Sequence, residues 1–227
     1  MRDQFNRDLQ LAMGQSSARG YFCHLYINGQ YWGLFNACER PEASFGGSYF
    51  KGKAEDFDVI KIGRGRGRGQ GNTQYGLFAT DGNLDAWEQL WKGCKAGVET
   101  NAAYQKILGN KPDGTRNPDY EVLLDPENLI DYMLGIFYTG SNDEAAAWGG
   151  RSTNNFFCMI DHDNPAGFKF FRHDAEHSMD AGWEDRTAPA NDKKFRELPW
   201  FNGQTLHERL SKNEEYRMRF ADHVYRH

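Results

Sequence analysis

Gly167-Phe168-Lys169-Phe170-Phe171-Arg172-His173-Asp174-Ala175-Glu176-His177 is the stretch on which the reading of this chain turns. Bulky residues from Phe168 to Phe171 predict a short buried strand. The ionisable run from His173 to His177 follows at its tip. Acids and imidazoles at the end of a rigid strand suit a metal ion or a proton transfer. Such a cluster costs stability unless it is solvated, paired or metal-bound.

Upstream, Asn155 to Ile160 reads as a partner strand, with Asp161 to Gly167 as the turn between the two. A hairpin puts the start of one strand beside the end of the other, so Asn155 and Asp174 are expected to be neighbours. Before this ribbon, Asp125-Pro126-Glu127-Asn128 opens a helix with proline at its first position. Its body, Leu129 to Tyr138, is apolar almost all round and predicts a buried central helix. Gly140 to Gly150 is a loop of small residues.

Nearer the N-terminus, Tyr21 to Ile27 and Tyr31 to Asn36 flank Asn28-Gly29, the signature of a two-residue hairpin turn. Asp3 to Met13 reads as a short helix and Asp56 to Ile62 as a third strand. Helical spacing recurs at Leu84, Trp87, Leu90 and Trp91, at Tyr104 to Leu108, from Leu206 to Leu210 and from Glu214 to Val224. Strands dominate early and helices late, which is α+β organisation.

The chain has 227 residues, with 16 Phe, 11 Tyr and 6 Trp, so one sizeable aromatic core is expected. A net charge of -5 lacks the basic footprint of a nucleic-acid binder. No long apolar run predicts a transmembrane helix. Cys23, Cys38, Cys94 and Cys158 show no zinc-knuckle spacing. Both termini break into helical patterns without caps, so a fragment truncated at both ends is expected. The compartment is left open, with an extracellular or cell-surface setting of the full-length protein among the options.

Three polar sets surround the second hairpin: Asn142-Asp143-Glu144, Asn154-Asn155, and Asp174 with Glu176. Amide and carboxylate oxygens together suit a hard cation such as Mg²⁺. Asp143 is placed to orient a nucleophile. The order Asp, Asn, strand, turn, strand, Asp is that of a protein-kinase site, where one Asp accepts the acceptor's proton and an Asn and a second Asp hold the metals. The alternative is that these residues only cap strands and bind water.

Several motifs together resemble the CotH (spore coat protein H) kinase-like family. They are Leu25 to Phe35, Glu39-Arg40-Pro41, Ser48-Tyr49-Phe50, Asp56 to Lys61, Asn128 to Tyr132 and Gly167 to His177. The resemblance runs from about Asp3 to the C-terminus. It implies a single domain over 1–227 with an atypical protein-kinase-like α+β fold. A β-containing N-terminal lobe would take about 1–80 and a mainly helical C-terminal lobe 81–227. It further implies phosphoryl transfer from ATP, with Mg²⁺ or Mn²⁺, to Ser or Thr of a protein substrate. Asp143 would then be the catalytic Asp, Asn155 and Asp174 the metal ligands, and Lys61 a nucleotide-binding lysine with Glu39 as its partner. Ala145 to Thr153 lengthens the family's loop, so Glu144 or Asn142 are alternatives to Asp143. Arg172-His173 stands where many relatives carry Trp before the Asp.

Two other functions are carried forward. One is a catalytically inactive, kinase-shaped structural or coat-assembly protein. The other is a zinc metallohydrolase using His173, His177 and Glu176. GRGRGRGQG at 63–71 is expected to be a solvent-exposed loop, Arg151 a solvated loop arginine, and the cluster Tyr26, Tyr31, Trp32 and Phe35 to pack as core and hairpin edge.

Overall fold

The structure is a computed structural model that describes residues 1–64, 75–146, 152–180, 185–189 and 193–227. Most of GRGRGRGQG, and Arg151, lie outside the described residues.

Helix α1 (Arg2–Ala12) leads into the hairpin β1 (Gly20–Ile27) and β2 (Gln30–Cys38). Asn28 and Gly29 both have positive φ, 50° and 80°, the type I′ turn that their sequence predicts. Then come α2 (Ala43–Tyr49), β3 (Phe57–Arg64), β4 (Tyr75–Asp81), α3 (Asp85–Ala96) and α4 (Asn101–Ile107).

The buried helix is α5 (Pro126–Thr139). Asp125 caps it by accepting a hydrogen bond from the Asn128 amide at 3.0 Å, and Gly140 ends it in the left-handed conformation. Short strands β5 (Ala145–Ala146) and β6 (Ser152–Asn154) follow, then the hairpin β7 (Phe157–Asp161) and β8 (Lys169–Phe171). Helices α6 (Gly203–Leu210) and α7 (Glu214–Arg226) close the described chain.

One antiparallel sheet of order β4-β3-β7-β8 organises the molecule. Because strand side chains alternate, its two faces hold different cores. Ile60, Ile62, Cys158, Ile160 and Phe170 join Trp87, Leu129, Tyr132 and Leu206 in a large helical core. Phe57, Val59, Phe157, Met159 and Phe171 face the other way, against Ala43 and Phe45 of α2. The sheet thus unites β3 and β4 with the β7–β8 ribbon, and its hydrogen bonds cross the 80/81 boundary of the two expected lobes.

Among the described residues, the outer edge of β8 has no neighbouring strand in the sheet. Side chains supply the missing partners instead: Asn128 Oδ1 accepts from the Phe170 amide at 2.6 Å, and Gln10 Nε2 donates to the Phe170 carbonyl at 2.7 Å. Gln10 Oε1 also accepts from the Arg172 amide at 3.0 Å. The edge is therefore covered rather than open. Gly167, at φ 81°, lets the ribbon begin against Leu124, whose carbonyl carbon any Cβ there would strike.

The hairpin β1–β2 corrects one expectation. Tyr26, Tyr31, Trp32 and Phe35 are all exposed, at 44% or more, and join no core cluster. A two-stranded ribbon offers no further sheet to cover its faces; Tyr31 packs beside Tyr26 at 5.2 Å and His24 at 5.7 Å.

Candidate active site

The face of the sheet covered by α2 ends in polar groups. Alternation from Phe57 and Val59 brings Lys61 onto it, directly across from Phe157. The Lys61 ammonium lies 4.9 Å from the Phe157 ring centroid, and the His173 ring 4.7 Å from it on β8's continuation. Burial lowers the Lys61 pKa, Arg40 adds to this, and the charges of Glu42 and Asp174 oppose it. Lys61 and Asp174 are therefore electrostatic neighbours, although 113 positions apart in the sequence.

Asp143, Asn155 and Asp174 come together. Asn155 Nδ2 donates to Asp143 Oδ2 at 3.2 Å and to the Asp174 carbonyl at 3.1 Å. Asn154 Nδ2 lies 3.1 Å from both Asp143 oxygens. Two amides thus hold one buried carboxylate. With Nδ2 of Asn155 engaged twice, its Oδ1 is the atom presented as an oxygen donor.

The segments flanking residues 147–151 pair as β5 and β6, Ala145 with Asn154 and Ala146 with Thr153, and Asn154 thereby comes beside Asp143. Residues 147–151 lie outside the described residues. On the other side, the Asn142 amide donates to the His177 carbonyl at 3.0 Å, and Met179 to that of Thr139 at 2.8 Å. These bonds zip the segment after β8 to the end of α5.

Backbone conformation singles out the same place. Among described residues six non-glycines have positive φ, and four lie here: Ala145, Asn155, Asp174 and Met179, at 42–55°. Such residues persist where their surroundings over-determine them, and they concentrate at functional sites.

The Asp174 carboxyl is raised above its ordinary pKa by partial withdrawal from water, then by the negative charges of Glu176, Asp3 and Asp143. Asp3, on α1, accepts from the Ala175 amide at 2.9 Å and pairs with Arg7 at 2.8 Å. A divalent cation would relieve this like-charge repulsion, and the donor set of Asn155 amide and Asp174 carboxylate suits a hard one.

Glu144 and Asn142 are not substitutes for Asp143. Glu144 is fully buried and accepts from Arg172 Nε at 2.7 Å and Nη2 at 2.5 Å. Arg172 Nη2 also reaches Asn6 Oδ1 at 2.5 Å. Asn142 carries no ionisable group. Sequence reading missed this ion pair, since 28 residues separate its partners.

Glu39 is not brought to Lys61. Its carboxylate accepts from the Arg19 amide at 2.8 Å and the Tyr49 hydroxyl at 2.6 Å, closing the base of the β1–β2 hairpin. Glu42 and Asp174 are the acids whose charge Lys61 feels. Arg40, inside the quoted Glu39-Arg40-Pro41 motif, also went unassigned; it stands 6.0 Å from the Phe157 ring and pairs with Glu42 at 2.8 Å.

The zinc reading at the strand tip is not supported. His173 is tucked against Phe157, and burial with nearby Arg7 and Lys61 lowers its pKa to about 4. Among the described residues, the one group of three His, Cys, Asp or Glu able to share an ion is Asp131, His223 and His227, on other elements.

A family model described as "CotH kinase protein" matches residues 1–227, the whole chain. The chain belongs to the CotH family. No curated protein matches it. Within a CotH chain, then, the α+β fold brings Asp143, Asn155 and Asp174 to one end of the central sheet, with Lys61 on the same face. Also among the described residues, no helix is long and apolar enough to cross a membrane.

Proposed function

We propose that this CotH-family chain is an atypical protein kinase, transferring the γ-phosphoryl group of ATP to Ser or Thr of a protein. The observation that carries the reading is the Asn155 amide bridging the Asp143 carboxylate and the Asp174 backbone, beside Lys61. Asn155 Oδ1 and the Asp174 carboxylate would hold Mg²⁺ or Mn²⁺, which supplies charge neutralisation to the transferred phosphoryl group. Lys61, with Arg40 near it, attracts the phosphates. Asp143, held by two amides, orients the acceptor hydroxyl and takes its proton. The kinase-like division into two lobes, with nucleotide between them, belongs to this proposal.

A second reading has its own observation. The β1–β2 ribbon exposes Tyr21, Tyr26, Tyr31, Trp32 and Leu34, at 51% or more, an apolar surface of the kind that marks interaction sites. A non-catalytic coat or surface-assembly protein would use such a face.

Calorimetry with ATP, with and without Mg²⁺, separates the two readings, since a scaffold binds nucleotide weakly or not at all. The catalytic test is γ-phosphate transfer to a generic protein acceptor. Asp174→Ala and Asp143→Asn should each lower the rate by at least about 10²-fold with circular dichroism unchanged. Transfer at wild-type rate by Asp174→Ala would overturn the assignment.

A further inference from the structure

Helices α5 and α7 carry a second constellation that the phosphotransfer reading does not use. His223 and His227 are one helical turn apart, so their rings leave the same face of the chain. Both meet Asp131 of α5. His223 Nδ1 lies 2.5 Å and His227 Nε2 3.4 Å from the same oxygen, Asp131 Oδ1. The three ligand atoms all fall within 4.8 Å of one another. Asp131 and His223 are buried, at 2% each, while the His227 side chain keeps 22% exposure.

The outer contacts are those of a metal site. The other oxygen of Asp131 accepts from Gln15 Nε2 at 2.6 Å, and Gln15 Oε1 accepts in turn from Asn128 Nδ2 at 3.1 Å. The far nitrogen of His223, Nε2, is bonded to the Glu127 carboxylate. A carboxylate on the second imidazole nitrogen fixes the tautomer that frees Nδ1 for a metal. Each buried ligand is thus already oriented from behind.

We propose that Asp131 Oδ1, His223 Nδ1 and His227 Nε2 bind one Zn²⁺-class divalent ion that ties α7 to α5. Two imidazoles and one carboxylate select a borderline metal, and Mg²⁺ or Ca²⁺ would prefer all-oxygen ligands. Zinc takes ligands at about 2.0–2.1 Å in a tetrahedron, which sets ligand atoms about 3.3 Å apart. The His227–Asp131 spacing already meets that; the His223–Asp131 contact opens as the ion replaces its proton. Solvent on the His227 side supplies the fourth position. The site stands independently of whether the chain transfers phosphate.

The test is calorimetry of ZnCl₂ into the untagged chain, stripped with chelator and kept in excess MgCl₂, with Co²⁺ as a spectroscopic probe. One equivalent should bind, thermal stability should rise with it, and Co²⁺ should show the intense visible bands of four-coordination. His227→Gln, at the partly exposed helix end, should weaken binding by at least about tenfold and Glu127→Ala by about 10–100-fold. Asp174→Ala should leave binding unchanged. Affinity weaker than about 100 μM, or undiminished binding by His227→Gln, would overturn the proposal.

Discussion

A carboxylate's position along the chain says little about what it will touch. Glu39 and Lys61 are 22 positions apart, yet Glu39 closes a hairpin through Arg19 and Tyr49, while Lys61 lies in the field of Asp174, 113 positions further on. The two residues should therefore separate in experiment. Lys61→Ala should weaken Mg²⁺-dependent ATP binding, measured by calorimetry. Glu39→Gln should leave that affinity unchanged and cost about 1 kcal/mol of stability through its weakened hydrogen bonds. Equal losses of nucleotide affinity in both variants would restore Glu39 to the site.

Elements meet here through buried polar side chains as much as through apolar faces. Arg172, just past β8, joins Glu144 after α5 and Asn6 of α1, each of them essentially excluded from water. A charge left alone in such a place is far more costly than the intact pair is favourable. Arg172→Met or Glu144→Gln alone should lower stability by about 3–5 kcal/mol in urea denaturation, and Glu144→Leu with Arg172→Met should recover much of it. Additive losses in the double variant would mean that the pair does not act as a unit. The same logic explains how β8 survives as an edge: Gln10 and Asn128 do for its backbone what another strand would. The strands β7 and β8 were legible from their apolar runs, and α5 from Asp125, Pro126 and its uniform apolarity. That Gln10 of α1 would serve a strand 160 residues later was not, because no local pattern encodes a contact of that separation.

At the scale of the whole molecule, stability should depend on pH through a histidine remote from the candidate active site. The His207 ring packs against Phe137, Tyr216 and Phe220, and burial lowers its pKa to about 4, below the about 6.5 of an unfolded histidine. The folded state binds fewer protons, so the contribution is fully present above about pH 6.5 and is lost as pH falls towards 4. The full shift corresponds to roughly 3 kcal/mol, and partial exposure brings the expected loss to roughly 2 kcal/mol. Urea midpoints across this range should fall less steeply for His207→Phe than for wild type; parallel curves would refute the assignment. Sequence by itself determined the turn at Asn28-Gly29, the capped central helix, the α+β order of elements and the meeting of Asn155 with Asp174, because each follows from neighbours along the chain or across one hairpin. Tertiary structure alone decided that β3 pairs with β7, that the aromatic ribbon stands in solvent, that Glu144 is spent on Arg172, and that Asp131 receives two histidines from the last helix. Those outcomes depend on which faces are covered and on contacts between distant segments, which the burial of one common core settles.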